Sequence, residues 1–262
     1  MNKKVLISIL VVVVGISAIG LTYFLLRANQ PKEYLLTVSN GAIYRISADG
    51  KEIKELGESM NGEVQIYSFS PDGKKILFSY RPNKFQATSL WIMDSDGNNK
   101  KKIAGGTNTE VYEARFSPDG NKIYFVTEEN KPESAHSSWY LWVENIDGTG
   151  KKNITEDMNK NSIYFSISPD GSKIAFVVAS SSDEGSLWIM NPDGTDKKNL
   201  MVETRGIWMS DSSFSPTGKK ILLYNSSVWI VNLDGRRKID LDKATGMDFS
   251  PGYTMWFPQK LE

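Results

Sequence analysis

Glu113, Asp211 and Asp248, with Arg115 and Tyr164, are the side chains whose types and spacing bring chemistry together in this sequence. Each stands one or three residues before the start of a recurring string: FSPDG at Phe69 and Phe116, ISPDG at Ile167, FSPTG at Phe214 and FSPG at Phe249. Ser68, Ile66, Ser166, Ser213 and Gly246 fill the other places of that set, whereas Phe, Tyr and Met dominate the positions zero and two residues back. Such alternation describes a strand with one wet and one dry face. Gathered around a common channel, the five residues are a candidate ligand-binding set. Paired acids in a channel are also the apparatus of glycoside hydrolysis, one protonated as proton donor and the other ionised.

Other chemistries find no residues to work with. There is no G-x-S-x-G, H-E-x-x-H, G-x-G-x-x-G or P-loop pattern. His136, the one histidine, falls in the polar stretch Glu128 to Ser138 and reads as an exposed loop residue. Without cysteine there is no disulfide, no thiolate zinc site and no thiol nucleophile. Asp94-Ser95-Asp96-Gly97 and Asn191-Pro192-Asp193-Gly194 alternate oxygen ligands but lack the third ligand and closing Glu of a calcium loop, so they read as turns. No metal, no cofactor and no catalytic residue is therefore assigned. The chain holds 31 basic and 31 acidic residues, yet Lys3, Lys4 and Arg27 precede the repeats, which leaves the remainder mildly acidic and a poor match for nucleic acid.

The elements that must position the five residues are repeats. The SPDG strings start 47, 51, 47 and 35 residues apart. A second string alternates with them: IYRISADG at Ile43, LWIMDSDG at Leu90, LWVENIDG at Leu141, LWIMNPDG at Leu187 and VWIVNLDG at Val228. In Ser70-Pro71-Asp72-Gly73, Pro presets φ at the second turn position and Gly takes the left-handed one, so the chain reverses into Ile76-Leu77-Phe78. Asp96-Gly97 and its later copies do the same for the second string. Two hairpins make a four-stranded antiparallel blade of about 45 residues, the period of a β-propeller. The third strand is apolar at consecutive positions, as for a strand covered on both faces. Trp91, Trp142, Trp188 and Trp229, with Tyr44 in the same place, then read as packing residues rather than sugar platforms.

The SPDG turn, the K-I-x-F strand and the L-W-I-M-x-x-D-G hairpin resemble the WD40-like propeller repeat of TolB and of prolyl oligopeptidase-type peptidases. The resemblance covers Glu33 to Pro258 and implies an all-β propeller; for function it implies a scaffold rather than a reaction. Tyr34–Val38, Ile43–Ile46 and Ile53–Leu56 match strands two to four of a blade without its first, and Met247–Ser250 matches a lone first strand. Joining the two ends predicts a five-bladed ring, with six blades or an open ring as alternatives because Tyr253–Phe257 is a further strand-like segment.

Val5 to Leu26 carries no charge, and 22 residues reach about 33 Å as a helix, enough to span a bilayer. The expected organisation is a cytoplasmic N-terminus (1–4), a transmembrane signal anchor (5–26), a linker (27–32) and a propeller (33–262) outside a bacterial cell membrane. The expected function is non-enzymatic binding of an unidentified protein, peptide or glycan. A glycan-acting hydrolase using the channel carboxylates is the alternative. The polar stretches Ser79–Ser89, Glu128–Ser138 and Ala179–Ser186 rim one face, where a rigid scaffold places recognition.

Overall fold

A computed structural model describes residues 34–106, 109–129, 138–158, 162–179, 184–205, 212–224 and 228–247. The segment Val5–Leu26, His136, Asp211, Asp248 and Tyr253–Phe257 lie outside them. Among the described residues, no helix is long and apolar enough to cross a membrane.

The described chain is all-β apart from one helical turn. Its first sheet has three strands in the order β1 (Tyr34–Ser39), β2 (Ala42–Ser47), β3 (Ile53–Glu55). The second sheet runs β4 (Glu63–Phe69), β5 (Lys75–Arg81), β6 (Ser89–Asp94), β7 (Lys101–Gly105). The third runs β8 (Thr109–Phe116), β9 (Lys122–Glu129), β10 (Ser138–Asn145), β11 (Lys152–Asn153). The fourth runs β12 (Ser162–Ile167), β13 (Ile174–Ala179), β14 (Glu184–Met190), β15 (Lys198–Arg205), and the fifth β16 (Ser212–Phe214), β17 (Lys220–Tyr224), β18 (Val228–Asn232), β19 (Lys238–Asp240). Every sheet is a meander in chain order, as two tight turns per repeat demand. The chain divides into two compact units, one holding Tyr34–Thr37 and Tyr44–Lys54, the other Val38–Ile43 and everything from Glu55.

In the larger unit, successive sheets pack face to face through three apolar seams. Leu77, Leu90 and Ile92 of the second sheet meet Phe116, Ile123 and Phe125 of the third. Val126, Leu141 and Ile154 meet Phe165, Phe176 and Met190. Val177, Leu187 and Leu200 meet Phe214, Ile221 and Val231. In the second and third sheets, strands two and three are buried at consecutive positions, which is why they are apolar on both faces. The expected dry face holds at Phe116 and Phe214, each 8% exposed, but not at Phe69, which is 45% exposed. Its neighbours on the same face, Ile76 opposite it and Met93 beyond, are 0% and 1% exposed, so the exposure is confined to the edge strand.

The SPDG turn is more than a Pro-Gly reversal. Asp72 Oδ1 accepts from Ser70 Oγ at 2.6 Å and from the Lys74 amide at 3.0 Å, while Ser70 Oγ accepts from the Lys75 amide at 2.9 Å. Ser117–Asp119 and Ser168–Asp170 repeat the pattern. These bonds hold Asp72, Asp119 and Asp170 below the usual carboxylate range, the serine hydroxyl contributing most, and Asp170 falls to about 2.

The turns also register one sheet against the next. A Cβ on Gly120 would lie 3.4 Å from Pro71 Cδ, one on Gly171 3.5 Å from Pro118 Cδ, and one on Gly218 3.6 Å from Pro169 Cδ. At the second hairpin the approach is closer still. Gly194 adopts φ +87°, and a Cβ there would sit 2.8 Å from Ile154 Cβ of the preceding sheet. Lysines fasten the same junctions: Lys101, Lys152 and Lys198 donate to the Asp147, Asp193 and Asp234 carbonyls at 3.0, 2.8 and 3.0 Å.

A single helical turn, α1 (Leu241–Thr245), follows β19. Asp240 caps it by accepting from the Lys243 amide, and Gly246 closes it at φ 70°.

Candidate functional site

Of the innermost strands β4, β8 and β12, the last two carry three of the five channel candidates. Glu113 and Arg115 share one face of β8, with Arg115 Nε donating to Glu113 Oε1 at 2.7 Å and Nη2 2.6 Å from the same oxygen. The Arg115 guanidinium also lies 6.0 Å from the centre of the Phe165 ring on β12. Tyr164 stands one position before it. Its phenol is raised by burial first and then by the charge of Glu113. The same carboxylate adds to the rise of Tyr67 on β4, which burial pushes up to about 12 against an opposing bond from Ser79. Glu113 is thus felt on both neighbouring innermost strands, and Arg115 and Tyr164 accompany it. Ser166 Oγ and Ser212 Oγ approach to 3.4 Å, which continues the polar row onto β16.

Toward the rim, β4, β5 and β8 enclose a cavity of about 350 Å³. Its walls include Glu63, Tyr67, Arg81, Thr88, Glu110 and Tyr112. Arg81 pairs with Glu110 through Nη2 and donates from Nε to Thr88 Oγ1 at 3.0 Å; Thr88 in turn donates to Glu110 Oε1 at 2.7 Å. This closed triangle holds Arg81 and Glu110 in one rotamer each, 34% and 17% exposed at their side chains. Tyr112 donates to Glu128 Oε2 at 2.5 Å and packs against Trp139 with ring centres 4.3 Å apart. Burial, and after it the bond to Glu128, raises the Tyr112 phenol above its ordinary value. Tyr67 closes the floor by donating to the Val111 carbonyl at 3.3 Å.

Two register shifts shape this cavity, one between Ile66 and Ser68 on β4 and one between Val111 and Glu113 on β8. An extra residue bends its strand and re-aims the side chains beyond it. The alternation counted back from Phe69 consequently fails at Ile66, whereas Glu113 and Arg115 lie on the near side of their bulge and keep a common face. Glu110 and Glu128 are direct cross-strand partners, an arrangement that costs energy for like charges. Arg81 and Thr88 engage the first carboxylate, and Tyr112 engages the second. Carrying the repeat alignment from minus three to minus six reaches Glu63 and Glu110, six residues before Phe69 and Phe116, and that was the signal for the rim residues. No group of three or more metal-ligating side chains occurs among the described residues.

Four-stranded meanders packed in sequence by their faces, with polar innermost strands, define the β-propeller class. The solved structures that this chain resembles share that fold. A TolB-type protein of Agrobacterium tumefaciens matches with a TM-score of 0.57 and 19% identity over 80% of this chain and 76% of that one. TolB from Acinetobacter baumannii matches with a TM-score of 0.56 and 18% identity over 79% of this chain, which spans about half of that protein, 51%. An oligogalacturonate lyase solved with manganese matches with a TM-score of 0.61 and 14% identity, over 86% of this chain and 64% of the lyase. The chain matches no sequence profile of a known family, and no curated protein sequence matches it. The fold is accordingly that of a TolB-like β-propeller.

Proposed function

We propose that this chain is a non-enzymatic binding module, a propeller held outside a bacterial membrane by Val5–Leu26, with its protein, peptide or glycan ligand seated at the rim cavity and channel of the second and third sheets. The observation that carries the reading is the closed Arg81–Thr88–Glu110 triangle beside the exposed Tyr112. Preorganised polar groups flanking an aromatic surface suit recognition, because little side-chain freedom is lost on binding. Hydrolysis by channel acids would instead need a second carboxylate at a working distance from Glu113 and a protonated donor. Among the described residues Glu113 accepts from Arg115.

The test is a panel of peptides and glycans titrated against the full chain in detergent. Saturable binding without turnover, weakened at least tenfold by Tyr112→Ala and by Arg81→Met at unchanged melting temperature, is expected. Turnover of any glycan that disappears in Glu113→Gln would overturn the binding reading. The tether has its own test: the protein should resist carbonate extraction from membranes and be cleaved by protease added to intact, wall-stripped cells. A soluble product starting near Ile19 to Thr22 would show a cleaved leader.

A further inference from the structure

Glu144 breaks the repeat at a core position. In the L-W-I-M-x-x-D-G string its place is filled by Met93, Met190 and Val231, at 1%, 0% and 0% exposure. Glu144 is 5% exposed, so the third sheet buries a carboxyl group where its neighbours bury a methyl or thioether. It stands opposite Ile123 in register, on the face of β10 and β9 that closes against Leu77, Leu90 and Ile92 of the second sheet. No hydrogen bond or ion pair reaches its carboxylate among the described residues. Three charged groups face it: Lys101 from β7 across the seam, Lys151 after the turn that ends β10, and Asp147 in that turn. Neither lysine is given over to it. Lys101 donates to the Asp147 carbonyl at 3.0 Å, and Lys151 lies 4.8 Å from the Trp142 ring and 5.3 Å from Phe125.

We propose that Glu144 makes the seam between the second and third sheets a pH-responsive joint, tight when its carboxyl is protonated and loosened when it is ionised. A neutral carboxyl packs in this place much as Met93 and Met190 do. An ionised one lacks hydrogen bonds and must draw water or a lysine to itself, which disturbs the Lys101 clamp on the adjoining turn. Burial raises the Glu144 pKa, with Lys151 and Lys101 opposing and Asp147 adding to it. The sign follows: the folded chain holds this proton more tightly than the unfolded chain, so the contribution to stability is full below the ordinary value of 4.5 and is lost as pH rises through the folded value. The other two seams have Met190 and Val231 in this place and no such dependence.

Hydrogen exchange of the full chain, corrected for intrinsic rates and compared at pH 5 and pH 8, reads each seam separately. Exchange in β6 and β9 is expected to be faster at pH 8, by about tenfold for each unit by which the folded pKa is raised, while β13 and β17 stay level. Glu144→Gln should abolish the difference, and Glu144→Met should abolish it and raise the melting temperature at pH 8. Lys101→Met, which removes an opposing cation, should move the transition to higher pH. A wild type without seam-specific pH dependence, or a dependence that survives Glu144→Gln, overturns the proposal. So does a Glu144→Met chain that fails to fold, since methionine already serves at Met93 and Met190.

Discussion

Replacing Gly194 with alanine tests whether the sheets are registered by backbone approach at the second hairpin. Two costs combine. A left-handed φ, +87° at this residue, costs a non-glycine residue about 1–2 kcal/mol. The new methyl would sit 2.8 Å from Ile154 Cβ and 3.0 Å from the Ile154 carbonyl oxygen, and Ile154 is a core residue that cannot swing aside. Overpacking of that kind costs about 1–3 kcal/mol. The sum, about 2–5 kcal/mol, is a large share of a domain stability of about 5–15 kcal/mol. Gly120→Ala is the matched control, because φ is +74° there but the methyl meets only Pro71 Cδ at 3.4 Å, an ordinary contact. It should lose only the conformational part, about 1–2 kcal/mol. Urea unfolding monitored by tryptophan fluorescence should place the Gly194→Ala midpoint clearly below that of Gly120→Ala. Coincident midpoints would refute the reasoning, since they would mean that the seam yields to an added methyl.

Lys152→Met removes the 2.8 Å bond to the Asp193 carbonyl and should cost about 0.5–1.5 kcal/mol, measured by the same unfolding. Combined with Lys198→Met in the next seam, the two losses should add, because the sites share no partner. The lowered carboxyls of Asp72, Asp119 and Asp170 stabilise the fold fully above their ordinary value of 3.8, and this is lost as pH falls below it toward about 2 for Asp170. Asp170→Asn should therefore flatten part of the decline in the denaturant midpoint between pH 5 and pH 2, and an unchanged decline would contradict the assignment. In the channel, Glu113→Gln should bring the Tyr164 phenol down toward its ordinary range, seen as an ultraviolet titration that vanishes when Tyr164→Phe is added.

What could be read from sequence followed the range of the interactions. Hairpins come from turn chemistry within a few residues, so the SPDG and Asp-Gly strings located the repeats, and the incomplete first sheet appears with strands two to four as expected. The Ser70–Asp72 bonds are equally local, but Ser reads as an ordinary turn residue until its hydroxyl is seen accepting an amide. Of the rim, Glu63 and Glu110 share a repeat position that the alignment reaches, but their partner was not legible, because Arg81 and Glu110 lie 29 residues apart and meet only when two sheets pack. The bulges at Tyr67 and Tyr112 carry no glycine to announce them, and a strict alternation runs past both. Glu144 was in plain view as a charged residue in a Met position, yet an aligned string draws the eye to what repeats.

The approach of Pro71 to Gly120, of Pro118 to Gly171 and of Pro169 to Gly218, each leaving room for about one methyl group, implies an interchangeable joint. Each repeat presents a proline ring forward and receives one behind, whatever the length of chain between them. Loops at the opposite rim can therefore lengthen or shorten without disturbing how sheets mate, and a chain from which one whole repeat was excised would offer the same plug to the same socket. Lineages built from such units can change their number of modules by duplication or loss in a single genetic event. The seam holding Glu144 would be the exception, since its carboxyl travels with the module and would carry its proton-dependence to whichever neighbour it met.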